Sequence, residues 1–197
     1  MHGREARETG PLASFQVGGG PCPWPRSLSP VDYPAATWFD PRLETGPSAI
    51  HGSGLFATAP IRAREVVLIW GGTAWTRAQL EAGEVPPCSF SFVDDDILLA
   101  GPEDGLDYFV NHSCDPSVWM QDEITVVARR DIGAGDEITG DYALWEAEDS
   151  YLVESCTCGA DTCRNVIRGT DWQLPELQRR YAGHFLPYIE RRFRQSV

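Results

Sequence analysis

Between residues 54 and 128, apolar and polar positions fall into short runs instead of long helical stripes. "GLFAT" (54–58), "VVLIW" (66–70), "SFSFV" (89–93), "ILLA" (97–100) and "ITVVA" (124–128) are rich in β-branched, aromatic and aliphatic residues, and turn clusters such as "DDD" and "GAGDE" separate them. That pattern predicts short β-strands joined by turns. "VVLIW" is apolar throughout, which predicts a buried strand. "TRAQLEAG" breaks the alternation: Thr76 and Gln79 make a capping box and Gly83 a stop, so one short helix is predicted among the strands. Further on the period changes. Leu174, Leu177, Tyr181, Phe185, Tyr188 and Ile189 recur at helical spacing with Arg between them, and Pro175 and Pro187 suit the first turns of two short helices. An amphipathic tail packed on the core is expected, with a partner-binding helix as the alternative. Residues 1 to about 36, including "GGGPCPWP", show no apolar period and predict a largely disordered arm.

The 197 residues suit one domain with a real core. No apolar run approaches the roughly 18 residues of a membrane span, and the N-terminus lacks the apolar stretch of a signal peptide, so a cytoplasmic chain without a membrane partner is expected. The net charge of −13 argues against a nucleic-acid ligand, whose affinity would come from cations displacing counterions. Acidic residues gather at Asp94, Asp95, Asp96, Glu103, Asp104 and Asp107. A basic protein or peptide substrate is compatible with them, and so is an ordinary solvated surface. All 16 basic residues are Arg, which together with only two Asn points to GC-rich coding.

The cysteines are Cys22, Cys88, Cys114, Cys156, Cys158 and Cys163. "CTCGADTC" places three thiols within eight residues, a density that reads as metal before disulfide in a cytosolic chain. Zinc prefers four ligands in a tetrahedron, so a fourth must come from elsewhere, and Cys114 in "NHSC" is the candidate. Cys22 lies in the arm and Cys88 beside Pro86-Pro87. A redox cluster or ordinary buried thiols are the alternatives.

"HGSGLFATAPI", "FVNHSCDPS", "GDEITGDYA" and "CTCGADTC", in that order, resemble the SET-domain protein lysine methyltransferases with their post-SET zinc segment over about residues 46–168. The resemblance implies a mainly β (α+β) fold of short strands, in which the "NHSC" and "GDY" segments meet in a knot-like crossing, with small helical insertions and a C-terminal helical tail. It implies an arm over 1–45, a SET domain over 46–146, a post-SET zinc segment over 147–168 and the tail over 169–197. The implied reaction moves a methyl from S-adenosylmethionine to a lysine of a protein or peptide substrate. Gly52, Ser53 and Gly54 would approach the cofactor with bare backbone. Asn111 and His112 would hold it through side-chain and backbone hydrogen bonds, with Tyr108 beside it. Tyr142 matches the catalytic tyrosine, and Cys114, Cys156, Cys158 and Cys163 would hold Zn2+. Trp70, Gly140 and Trp145 would line the substrate channel.

Three positions depart from the family pattern. Tyr108 stands where Arg is usual, Trp70 where Tyr is usual, and Gly140 where an aromatic lines the channel. The last predicts a widened channel that accepts an already dimethylated amine, unless Trp70 or Trp145 fills the gap. A compact, stand-alone bacterial enzyme is expected, and the alternative is a zinc-stabilised SET-like module that binds a peptide without turnover.

Overall fold

The computed structural model describes residues 33–86, 89–101 and 105–195. The chain runs through β1 (Trp38–Phe39), β2 (Leu43–Pro47), β3 (Ser53–Ala57), β4 (Val66–Ile69) and β5 (Thr73–Thr76) into the helix α1 (Arg77–Glu81). β6 (Ser89–Phe92), β7 (Ile97–Gly101), β8 (Asn111–His112), β9 (Val118–Met120), β10 (Thr125–Ala128) and β11 (Glu137–Gly140) follow. β12 (Leu152–Val153) and β13 (Ile167–Arg168) lead to the helices α2 (Pro175–Arg180) and α3 (Pro187–Gln195). The strands form sheets in the orders β1-β4-β10-β9, β2-β3-β11-β8 and β5-β7-β6, and β12 pairs with β13. The fold is mainly β with small helical insertions and a helical tail, as the residue pattern predicts.

The local reasons are the expected ones. Val67 and Leu68 of the apolar β4 are buried because β1 and β10 flank the strand. The Thr76 hydroxyl accepts from the Gln79 N–H at 3.2 Å and the Gln79 side chain accepts from the Thr76 N–H at 3.0 Å. Gly83 follows α1 with φ +72°, a left-handed residue that stops a helix at no steric cost. In the tail, Leu177, Tyr181, Phe185, Tyr188 and Ile189 are buried in the main core beside Leu144 and Met120. The packed alternative is therefore the one realised, since the apolar faces of α2 and α3 meet the sheets.

The arm ends earlier than its sequence suggests. Residues 33–45 carry β1 and most of β2, and β2 pairs with β3 from Leu43↔Ala57 to Pro47↔Ser53. These strands are too short and too polar to show a period of their own, and partner strands order them. Residues 1–32, Cys22, Cys88 and the acidic Glu103 and Asp104 lie outside the described residues. Among the described residues no helix is long and apolar enough to cross a membrane.

β8 and β11 position the functional residues. They pair in parallel, Thr139↔Asn111 and Gly140↔His112, so "NHSC" and "GDY" run side by side. Neither would be stable as an isolated two-residue ladder. The Ser113 N–H to Gly140 carbonyl bond at 2.8 Å extends the contact, and β3 covers the other edge of β11.

Candidate functional site

The glycine turn that precedes β3 sits against β8. Gly52 has φ +49°, with open space where a Cβ would stand, and a Cβ on Gly54 would collide with the Glu137 carboxylate. The Asn111 amide donates to the carbonyls of His51 at 3.2 Å and Ser53 at 3.1 Å, and to Glu137 Oε1 at 2.8 Å. The Ser48 hydroxyl donates to the same carboxylate at 2.8 Å. The two amide hydrogens are thus shared among the turn carbonyls and Glu137, so this side chain shapes the loop, and its oxygen is left for a ligand.

His112 is also turned inward. Its Nδ1 accepts the Tyr142 backbone N–H at 3.2 Å, which leaves the proton on Nε2, 3.2 Å from Cys114 Sγ. Burial holds the imidazole down to about 4, so the ring is neutral at pH 7. Its side chain joins the tyrosine backbone to the thiol cluster instead of facing the glycine turn.

The ligand atoms of Cys114, Cys156, Cys158 and Cys163 all lie within 4.8 Å of one another. A tetrahedral zinc with Zn–S near 2.3 Å separates its sulfurs by about 3.8 Å, so the spacing fits. The surroundings fit as well: the Arg164 N–H points at Cys114 Sγ at 3.3 Å, the Cys114 N–H at Cys158 Sγ at 3.5 Å and the Asn165 N–H at Cys163 Sγ at 3.4 Å. Such donors favour thiolates. Without a cation, burial pushes the Cys114 thiol up to about 12 and the Cys156 thiol higher still, a load that a divalent cation would relieve.

Tyr142 is buried, and its hydroxyl donates to the Val110 carbonyl at 3.2 Å. Burial pushes the phenol well above its usual range, so it stays neutral. It borders a cleft of about 490 Å³, open mouth included, whose walls include Trp70, Asp107, Tyr108, Val110 and Trp145. The Trp145 ring lies 5.8 Å from Trp70 in a T-shaped contact and 6.1 Å from Tyr142. A Cβ on Gly140 would run into the outer edge of the Trp145 indole. Of the two outcomes that Gly140 left open, the filled gap is the one realised: the Trp145 ring occupies the space beside position 140.

A buried charge network absent from the sequence reading ties these parts together. Arg164 grips Asp141 with two bonds of 2.7 Å and reaches Asp171 at 2.9 Å. The Tyr181 hydroxyl donates to Asp141 at 3.1 Å, and the Arg180 guanidinium reaches the Cys114 carbonyl at 3.2 Å. Asp141 precedes Tyr142 and Arg164 follows Cys163, so adjacency to two motifs was the only signal that could have found them.

Comparison with known proteins places this geometry. The SET domain family matches residues 52–143. The chain is 32% identical over 135 residues to the histone-lysine N-methyltransferase, H3 lysine-4 specific, of Eremothecium gossypii, covering 61% of this chain and 14% of that protein. It is 33% identical over 141 residues to the protein of the same description from Schizosaccharomyces pombe, covering 64% and 15%. The crystal structure of KRYPTONITE in complex with mCHG DNA and SAH superposes with a TM-score of 0.50 at 25% identity, over 63% of this chain and 28% of that one. The chain thus spans only about a seventh of the curated relatives' length. From the glycine turn to Tyr142, residues 52–143 match the SET domain family.

Proposed function

We propose that this protein is an S-adenosylmethionine-dependent protein-lysine N-methyltransferase. The observation that carries this reading is Tyr142: a neutral phenol, held by Val110, at the wall of an aromatic cleft and beside the β8–β11 pair. Relatives described as histone-lysine methyltransferases and a neighbour solved with SAH support it. The bare backbone of Gly52 and Gly54, the Ser53 between them, Tyr108 and the Asn111 oxygen would hold S-adenosylmethionine. When bound, it supplies a sulfonium methyl for an in-line displacement by an amine.

The chain's own residues do the rest. Free lysine has a pKa near 10.4, so the amine must lose its proton before it attacks, and the apolar walls of Trp70 and Trp145 favour the neutral form there. The Tyr142 hydroxyl donates its proton to Val110, which leaves its oxygen lone pairs to accept an N–H of the amine and aim its lone pair. The rate gain is chiefly positional. Cys114, Cys156, Cys158 and Cys163 would hold zinc, whose role is to fix the post-SET loop against Tyr142 rather than to react. The substrate is a basic protein segment. The charge of −13 favours that class and disfavours a phosphate backbone as direct ligand.

The test is transfer of labelled methyl from S-adenosylmethionine to a histone H3 N-terminal peptide and to cell lysate by the full chain. Label should appear on lysine, and Tyr142→Phe should lose about 100-fold or more in kcat while calorimetry shows cofactor affinity within a few-fold. The enzyme has no lysine, so its own internal peptides should stay blank. Label inside this chain, or full turnover by Tyr142→Phe, overturns the assignment.

A further inference from the structure

The cleft beside Tyr142 contains one group that the proposed transfer does not use. Asp107 lies in the first turn of the 3-10 segment Leu106–Phe109, and it lines both the aromatic cleft and the adjoining hollow beside Phe90 and Leu99. None of the ion pairs among the described residues includes it. The contrast within the molecule is sharp. Asp40, Asp141 and Asp171 are buried, and each faces an arginine at 2.6–2.9 Å. Among the described residues, the backbone N–H groups of its own residue and of Tyr108 are what favour its charged form, and burial raises its carboxyl above the usual range. Asp107 is half-buried, and a partly desolvated carboxylate is stabilised by a cationic partner.

The surroundings define the missing partner. Trp70, Tyr108, Tyr142 and Trp145 present rings around the same space, and aromatic faces attract cations. Rings alone admit any slim apolar chain. Rings with one carboxylate select a chain that is apolar along its length and positive at its tip.

We propose that Asp107 is a substrate-recognition residue, whose carboxylate receives the cationic head of an alkylammonium side chain as it enters the aromatic cleft. The proposal rests on the reading of this cleft as the substrate channel and adds what selects the substrate there. A charge-assisted contact in such a site corresponds to a preference of about tenfold or more for a cation over a neutral isostere.

The experiment titrates the full chain with n-butylammonium and, separately, with n-butanol. It follows the indole N–H signals of Trp70 and Trp145, assigned through Trp70→Phe and Trp145→Phe. The ammonium should shift both signals at concentrations about tenfold lower than the alcohol, and Asp107→Asn should bring the two midpoints within about twofold. Asp107→Ser serves as the second variant if Asn disturbs the fold. Equal midpoints in the parent protein, no shift with ammonium, or a preference that survives in both variants overturns the proposal. Failure of the enzymatic reading looks different. If ammonium selectivity is present but no label leaves S-adenosylmethionine, the methyltransferase assignment falls and Asp107 keeps its role. If a lysine peptide is labelled with the same KM by parent and Asp107→Asn, the recognition role falls and the enzyme stands.

Discussion

At the scale of single residues, Gly140 and Trp145 share one volume. Gly140 is tolerated because the indole edge lies where its side chain would be, so adding a ring at 140 overpacks the cleft at a cost of about 1–3 kcal/mol. Gly140→Phe alone should lower the unfolding midpoint, and the exchange Gly140→Phe with Trp145→Ala should recover most of the loss. Urea unfolding of the three proteins decides it, and an additive double variant would show that the positions do not share space. Glu146, next in the chain, offers a pH test. Burial raises its carboxyl to about 7, with Glu148 adding to the rise. A carboxyl raised above its unfolded value of 4.5 binds its proton more tightly in the folded state, so its contribution is fully present below pH 4.5 and is lost as pH climbs through 7. Glu146→Gln keeps an acceptor for the Glu148 N–H without the charge, and should be more stable than the parent by about 2 kcal/mol at pH 8 but not at pH 4. A gap that does not grow with pH would contradict this account.

At the scale of elements, the post-SET segment has little apolar surface and is ordered from outside. Its contacts are Cys114 just past β8, Tyr142, against which its own Tyr151 and Ile167 pack, and Asp141, which its Arg164 clamps. Metal should therefore supply much of its order. Purified protein is expected to contain about one zinc per chain, with Cys158→Ser losing it and melting earlier. Elemental analysis without zinc would remove the metal from the account. Arg164→Met separates clamp from metal: it leaves Asp141 buried without its cation, at about 3–5 kcal/mol, while the four thiols remain. A stable Arg164→Met protein that retains zinc would show that the clamp matters little.

At the scale of the whole molecule, the tail is part of the domain. Leu186 donates its N–H to Leu144 at 2.8 Å, Tyr181 reaches Asp141, and Ile189 is fully buried. Ending the chain at residue 173 should leave an insoluble or unfolded product. The milder Ile189→Ala should cost about 2–5 kcal/mol by thermal or urea unfolding. A truncated chain that folds and binds cofactor would reduce the tail to an accessory. Arg191 and Arg192 add contacts to Asp94 and Asp95 at 2.6 and 2.8 Å, but these pairs are exposed and worth little. They orient α3 on the turn between β6 and β7.

The residue pattern alone determined the features whose causes are local. The apolar runs of β3, β4, β6, β7 and β10, the capping box of α1, the two proline-started helices and the dense thiols of residues 156–163 each carry their signal within a few positions. The four ordered motifs carried the family for the same reason. Only the tertiary structure decided what depends on partners distant in sequence. β1, β2 and β8 are ordered by the strands they pair with. Trp145 fills the space of residue 140 only because the chain turns back after β11. The Asn111 amide is spent on the glycine turn because β8 lies against it. The pairing of Arg164 with Asp141, and the lack of an arginine partner for Asp107 among the described residues, follow from which cations the fold brings near which carboxylates, and no spacing along the chain encodes that.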